Sequence, residues 1–239
     1  MHTIFGKLFA LGSAFGKEGE MLKRAVPLNG EDFIYQIFVP QLKREATKLP
    51  VVVFLHGIRE RGHGGFISGM FAQLIKSWLS RVPAVVLFPQ CRPGRYWPDP
   101  LMEEMVIGAL EQTLDEFNAD SEQISLIGVS MGGYGVWHFA SRYPQRFAAL
   151  VSICGGSPIT SGERFTTVAE KVGQTPVWLF HGAEDRVVPV SESRQLVAAL
   201  KARDGRVRYN EYEGIGHNVW INALAEKELL PWLLAQQRS

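Results

Sequence analysis

Residues 124–135 read ISLIGVSMGGYG, and this stretch decides the fold. Ile124–Val129 has the apolar, β-branched character of a strand buried on both faces, and a helical pattern follows it. Between the two stands Gly128-Val129-Ser130-Met131-Gly132, the G-x-S-x-G pattern of a nucleophile elbow. Because so tight a turn leaves no room for side chains two positions from the serine, both of those positions are glycine. The stretch therefore predicts a strand–turn–helix unit that presents the Ser130 hydroxyl at the end of a strand.

The rest of the chain alternates short β-branched runs with helical patterns, which predicts an α/β fold with a mostly parallel central sheet and helices on both faces. Asn29-Gly30 is a two-residue turn signal and predicts an initial hairpin. Asp99-Pro100, ahead of an apolar stripe, predicts a capped helix. A last helix is expected over residues 218–237, with a break or kink near Pro231. The predicted strands cover 21–26, 33–39, 50–55, 85–88, 124–129, 149–153, 177–180 and 207–212.

Chain length indicates the domain organisation. The chain has 239 residues, enough for one well-buried core and short for two, so we expect a single domain over 1–239. Residues 1–20 read as an N-terminal extension whose role the pattern does not define. The connection over 154–176 is short, which predicts little or no lid domain.

Composition narrows the classes of partner. The formal net charge is +1 and no basic stripe is present, so nucleic acid is not expected. Cys91 and Cys154 are too few for a disulfide framework, and His56 and His63 lack a third ligand nearby, so we expect no metal. No apolar run approaches the ~20 residues of a transmembrane segment. Residues 1–16 are weakly signal-like but broken by glycines, and we expect a cytoplasmic protein. The pattern predicts no particular oligomeric state.

A serine nucleophile needs a base, and the base needs an orienting acid. With an elbow of this kind the order along the chain is serine, acid, histidine. His217 is the one histidine beyond the candidate acids, and it follows the last predicted strand in a glycine-rich loop. Asp185 directly follows the strand at 177–180 and is the preferred acid. Glu184 is its main rival, whereas Asp204 lies in a helix-ending turn and is expected to be structural.

Two backbone N–H groups are predicted to stabilise an oxyanion. Met131 follows the nucleophile at the start of a helix, and Ile58 follows Leu55-His56-Gly57 after the first core strand. Trp97 and Trp220 are predicted to line the mouth of the site as substrate-binding residues, although each fits packing as well.

Several of these stretches together resemble the α/β-hydrolase superfamily, and most closely its carboxylesterase/phospholipase-like group. That group includes members labelled predicted peptidases and is related to feruloyl and polyester esterases. The resemblance covers roughly residues 30–237. It implies ester hydrolysis with no cofactor or metal, a catalytic triad of Ser130, Asp185 and His217, and an oxyanion hole at Ile58 and Met131. The stretches that carry it are Leu55-His56-Gly57, residues 128–135, 153–156 and 181–185 with Val188-Pro189, and Gly216-His217 with Trp220.

The expected activity is that of a serine carboxylesterase acting on short-chain or small aromatic esters through an acyl-enzyme on Ser130, with a small-molecule ester as the partner. A serine peptidase or amidase, or an acyl-thioesterase, would use the same triad and stays an alternative. A non-catalytic binding protein of this fold would be expected to lack a triad residue, and none is missing. A dienelactone hydrolase would be expected to carry cysteine in place of Ser130.

Overall fold

The computed structural model describes residues 19–41, 48–64, 69–159 and 163–238, and within them it contains one eight-stranded sheet. The strands are β1 (Gly19–Leu28), β2 (Glu31–Pro40), β3 (Val51–Leu55), β4 (Val85–Pro89), β5 (Ile124–Val129), β6 (Ala149–Ile153), β7 (Val177–Gly182) and β8 (Val207–Tyr212). Their order across the sheet is β1-β2-β4-β3-β5-β6-β7-β8. The predicted hairpin forms β1 and β2, which pair antiparallel, and β2 also pairs antiparallel with β4. All other neighbours are parallel, so the predicted α/β-hydrolase architecture is confirmed.

Two apolar layers cover the sheet. The helices are α1 (Gly69–Leu79), α2 (Pro100–Glu116), α3 (Met131–Arg142), α4 (Arg164–Val172), α5 (Ser191–Lys201), α6 (Trp220–Ala225) and α7 (Leu229–Leu234). Side chains alternate along a strand: Val53 and Leu55 pack in the layer that holds α2, α3, α4 and α5, whereas Val52 and Phe54 pack in the layer that holds α1, α6 and α7. Because both faces are covered, the central strands are buried along their whole length and are mostly apolar.

The helix after β4 starts as its sequence predicts. The Asp99 carboxylate accepts the backbone N–H of Leu101 at 3.0 Å, and Pro100 occupies the first helical position. The apolar stripe of α2 then buries Met102 and Met105 against the sheet. This anchoring fixes the end of the loop that carries Trp97.

The last helix is broken near Pro231, as its sequence predicts. It is interrupted at residues 226–228, upstream of Pro231, and Pro231 lies in the first turn of α7. A proline ring in a helix collides with the carbonyl four residues before it, here that of Lys227. Because the chain is not helical at Lys227, the collision is avoided, and the missing proline N–H would have had no intrahelical acceptor in a first turn.

The N-terminal extension lies almost wholly outside the described residues. Cys91 and Cys154 are both buried and free, and they lie in the two different apolar layers, on opposite faces of the sheet. In the described parts of the chain, none of the helices combines the length and apolarity that crossing a bilayer requires.

Candidate active site

The turn between β5 and α3 holds Ser130 in an unusual backbone conformation, with φ 55° and ψ −115°. A non-glycine residue at positive φ costs on the order of 1–3 kcal/mol and persists only where its surroundings enforce it. The surroundings here are close backbone contacts. A Cβ on Gly128 would lie 2.0 Å from the Gly132 carbonyl oxygen, and one on Gly132 would lie 2.0 Å from that of Leu55. The two glycines are therefore required by contact distance, and the serine hydroxyl is turned out of the sheet.

Three side chains from distant parts of the sequence form a hydrogen-bonded chain. The Oγ atom of Ser130 lies 2.8 Å from Nε2 of His217. On the other edge of the same ring, Nδ1 of His217 lies 2.7 Å from Oδ2 of Asp185. Ser130, Asp185 and His217 follow the carboxyl ends of β5, β7 and β8, respectively, and these ends lie at one edge of the sheet. This arrangement lets the imidazole accept the serine proton while the carboxylate fixes its orientation.

The loop after β7 distinguishes the two candidate acids. Asp185 is buried, and its Oδ1 accepts the backbone N–H groups of Val187 and Val188 at 2.8 and 2.9 Å, which leaves Oδ2 for His217. Glu184 is exposed, and its backbone N–H donates to Ile215 on the neighbouring loop. The geometry therefore favours Asp185 over Glu184.

Both predicted oxyanion donors are the first residues of helical segments. Met131 begins α3, and Ile58 begins a short 3₁₀ turn over Ile58–Glu60. First-turn N–H groups have no intrahelical acceptor and are available to a ligand. The approach is close on the Ile58 side, because a Cβ on Gly57 would lie 3.7 Å from Cβ of Ser130.

His56 fixes the peptide that carries the Ile58 N–H. The backbone N–H of Cys91 donates to Nε2 of His56 at 3.1 Å, so Nδ1 carries the ring proton and donates to the Gly57 carbonyl at 2.6 Å. Burial lowers the pKa of His56 to about 4, which keeps the ring neutral. In a trans peptide the N–H points opposite to the C=O, so anchoring the Gly57 carbonyl also aims the N–H of Ile58.

Trp97 does not fit the predicted role in the pocket wall. Its side chain is fully buried, stacks edge-on against the His56 ring and donates its indole N–H to the His56 carbonyl at 3.0 Å. Trp97 therefore packs against the loop that carries His56, which matches the packing role that the sequence left open for it. Trp220 is partly exposed directly after the 3₁₀ turn of His217, and its pocket role stays a prediction.

The mouth of the site carries exposed apolar side chains. Those of Ile58 and Tyr96 follow β3 and β4, and those of Val187 and Ile221 follow β7 and β8. The four residues therefore follow strands on both sides of β5, the strand that precedes Ser130. Arg61 links the first pair, since its guanidinium lies 5.5 Å from the Tyr96 ring centre and its Nε donates to the Ile58 carbonyl.

One group of possible metal ligands coincides with the triad. Cys154, Asp185 and His217 place ligand atoms within 4.8 Å of one another. Burial raises the pKa of the Cys154 thiol far above its usual range, and His217 and Asp185 are hydrogen-bonded to each other. A thiol that stays protonated is a poor metal ligand, so the arrangement favours proton transfer over metal binding.

The predicted site residues do not include His181, Glu192 or His56, although the position of His181 at a strand end indicates packing or a hydrogen bond. His181 contacts Asp185, and Glu192 accepts the backbone N–H of Ser157 beside the loop after β6 while pairing with Arg164. The sequence considers His56 only as a possible metal ligand with His63, for which no third ligand lies nearby. The signal that could have found His56 and His181 is their position: each lies at the carboxyl end of a buried strand next to a glycine.

The sequence of this chain is similar to those of known hydrolases. A model of the phospholipase/carboxylesterase family matches residues 100–227. The acylamino-acid-releasing enzyme of Rattus norvegicus is 26% identical over 243 residues, covering 82% of this chain and 32% of that protein. An acyl-protein thioesterase 1 homolog 2 of Dictyostelium discoideum is 27% identical over 172 residues, covering 62% of this chain and 75% of that protein.

Among solved structures, a thermostable esterase superposes with a TM-score of 0.75 at 34% identity, covering 92% of this chain and 63% of that one. This chain thus spans less than two thirds of the esterase and 32% of the acylamino-acid-releasing enzyme.

Proposed function

Because the chain belongs to the phospholipase/carboxylesterase family, we propose that it is a serine esterase that hydrolyses short-chain or small aromatic carboxylic esters through an acyl-enzyme on Ser130. The observation that carries the proposal is the unbroken hydrogen-bonded chain from Ser130 through His217 to Asp185, with spacings of 2.8 and 2.7 Å. The thermostable esterase adds support, since the chain shares 34% identity with it.

The proposed reaction proceeds in two acyl-transfer steps. Nε2 of His217 takes the hydroxyl proton as Oγ of Ser130 bonds to the ester carbonyl carbon. The carbonyl oxygen becomes an oxyanion facing the N–H groups of Ile58 and Met131, and each well-placed donor of this kind contributes about 3–4 kcal/mol in the transition state. His217 returns the proton to the departing alcohol. Water then attacks the acyl-enzyme by the same route, which releases the acid and restores Ser130.

Two features support a small substrate. The connection between β6 and β7 contains α4, a helix of nine residues, and so offers little chain with which to cover the site. The exposed side chains of Ile58, Tyr96, Val187 and Ile221 give the mouth short apolar edges. A short acyl chain or an aromatic ring can be desolvated against such edges, whereas a long chain would extend past them into water.

The same triad serves amides and thioesters, and relatives named as acylamino-acid-releasing enzymes and acyl-protein thioesterases are similar to this chain. The leaving group distinguishes these activities, because an amine must be protonated as it departs whereas an alkoxide or thiolate leaves more readily.

The test compares leaving groups and acyl lengths on one enzyme preparation. We expect kcat/KM for p-nitrophenyl acetate or butyrate to exceed that for the palmitate ester by about two orders of magnitude, which corresponds to about 2.7 kcal/mol in transition-state stabilisation. Matched p-nitroanilides and acyl thioesters should be slower than the short esters. A flat profile out to palmitate contradicts the small-substrate proposal, and faster anilide or thioester cleavage favours the alternatives.

A further inference from the structure

A second buried imidazole lies against the acid of the triad, and the proposed reaction gives it no part. His181 is the fifth residue of β7, and its side chain is inaccessible to solvent. Its Nε2 lies 3.0 Å from the carbonyl oxygen of Val188 and 3.3 Å from Oδ2 of Asp185. Its Nδ1 lies 2.6 Å from the hydroxyl of Ser193 on α5.

These neighbours fix the tautomer. Both partners of Nε2 are acceptors, so Nε2 must carry a proton. Burial lowers the pKa of His181, so the ring is neutral and Nδ1 holds a lone pair, which accepts the Ser193 hydroxyl proton. Oδ2 of Asp185 therefore faces the imidazole N–H of His217 at 2.7 Å and also the Nε2–H of His181 at 3.3 Å, which His181 shares with the nearer Val188 carbonyl.

We propose that His181 is a positioning residue that acts through Asp185, holding the direction of Oδ2 and taking up part of its negative charge, and so setting how strongly the carboxylate stabilises a protonated His217. The proposal rests on the esterase mechanism above. Its physical basis is that a carboxylate surrounded by N–H donors shares its charge among them. Val187 and Val188 supply two donors to Oδ1, and His181 supplies the additional one on the oxygen that His217 uses.

Other ionisable groups near Asp185 do not compete with this effect between pH 5 and 8. The thiol of Cys154 and the phenol of Tyr134 both interact with Asp185, but burial raises the pKa of each above its usual range, so both stay neutral. The imidazole of His217 is therefore the group at this carboxylate whose protonation the assay should detect.

Two amide substitutions isolate the contact. A glutamine amide nitrogen reaches the position of a histidine Nε2, whereas an asparagine amide reaches only the position of Nδ1. His181→Gln thus keeps an N–H donor facing Asp185, whereas His181→Asn removes that donor. The side chain at position 181 remains polar in both variants. His138 pairs with Glu103 at 2.6 Å outside the site, so His138→Asn is a matched loss of an imidazole–carboxylate contact.

The experiment measures kcat, KM and their pH profiles for these variants, and follows the His217 imidazole by NMR across the same pH range. For His181→Asn we expect kcat to fall about tenfold with KM within about twofold, as for loss of a partner that orients a catalytic group. The midpoint of His217 protonation should rise by about 0.5 pH unit or more, because the carboxylate charge is less shared. In His181→Gln, kcat and the protonation midpoint should both return most of the way to the values of the unaltered protein. His138→Asn should change neither quantity.

Equal behaviour of folded His181→Asn and His181→Gln, or an unchanged midpoint in His181→Asn, overturns the proposal and leaves His181 a packing residue. If neither variant folds, nitrogen chemical shifts of the unaltered protein decide: protonated Nε2 throughout pH 5–8 supports the proposal, and protonated Nδ1 overturns it. Absence of ester turnover in the unaltered protein would contradict the esterase proposal alone, since the NMR midpoints do not depend on substrate.

Discussion

The indole N–H of Trp97 donates to the carbonyl oxygen of His56 at 3.0 Å, in a position where neither group reaches solvent. The loop after β4 is thereby tied to the loop after β3, directly before the peptide that carries Ile58. His56 continues the connection through its own hydrogen bonds to Cys91 and Gly57. The predicted oxyanion donor at Ile58 is therefore held in place by buried groups, and changes there should alter catalysis without altering which substrate fits.

Trp97→Phe tests this separation. The substitution keeps an aromatic ring but leaves the buried His56 carbonyl without its donor, which costs about 1–3 kcal/mol of stability. We expect kcat to fall several-fold for every ester, with the ratio between acetate and octanoate esters unchanged. Tyr96→Ala is the control, because Tyr96 is exposed at the mouth: it should change that ratio and leave the unfolding free energy nearly unaffected. A changed acyl preference in Trp97→Phe would instead support the prediction that Trp97 lines the substrate pocket.

The buried His56 predicts a loss of stability in acid. Burial lowers its pKa from 6.5 to about 4, so the unfolded chain takes up the proton before the folded protein does. The contribution of neutral His56 is therefore complete above pH 6.5 and is lost as the pH falls towards 4. The loss is on the order of 3 kcal/mol in the free energy of unfolding.

Urea unfolding at a series of pH values checks this slope. In His56→Gln, which cannot take up the proton, the decline between pH 6.5 and 4 should be shallower than in the unaltered protein by that amount. Parallel pH dependence in the two proteins would mean that His56 is not a buried neutral group.

Gly132 in the elbow and Gly64 in the loop after β3 differ sharply in the space around them. A Cβ on Gly132 would lie 2.0 Å from the Leu55 carbonyl oxygen, whereas one on Gly64 would meet nothing within 4 Å. Because backbone cannot move aside as a flexible side chain can, Gly132→Ala should destabilise the protein by about 3 kcal/mol or more, or prevent folding. Gly64→Ala should change the melting temperature little. Comparable melting temperatures for the two variants would contradict the close packing of α3 on β3.

Asp185→Asn tests which acid serves the histidine. An amide at this position is expected to hold the wrong tautomer of His217 and to lower kcat by about 10⁴. Glu184→Gln is the matched change one residue away, and it should leave kcat within about twofold, because exposed charges outside the site have small effects. Circular dichroism of both variants establishes that they are folded. A larger loss in Glu184→Gln would reverse the assignment.

Much of the fold and of the triad geometry follows from local sequence patterns. Continuous apolar strands, the turn at Asn29-Gly30 and the cap at Asp99 are signals within a few residues of the elements they define, and each matches the structure. The approach of Ser130, Asp185 and His217 follows from topology, because the carboxyl ends of parallel strands share one edge of a sheet.

What the sequence missed depends on contacts between distant loops. Trp97 follows a strand end, where side-chain direction no longer alternates, and the return of its loop beneath His56 has no local signature. His181 resembles any buried strand residue until its contact with Asp185 is seen.

The central claim is that the Ser130 hydroxyl is a nucleophile activated by His217. A fluorophosphonate probe, followed by proteolysis and mass mapping, tests it most directly. We predict a single adduct on Ser130, labelling suppressed by a short ester present in excess, and loss of both labelling and ester turnover in a folded Ser130→Ala variant. Labelling at another residue, or turnover that survives in Ser130→Ala, would contradict the account.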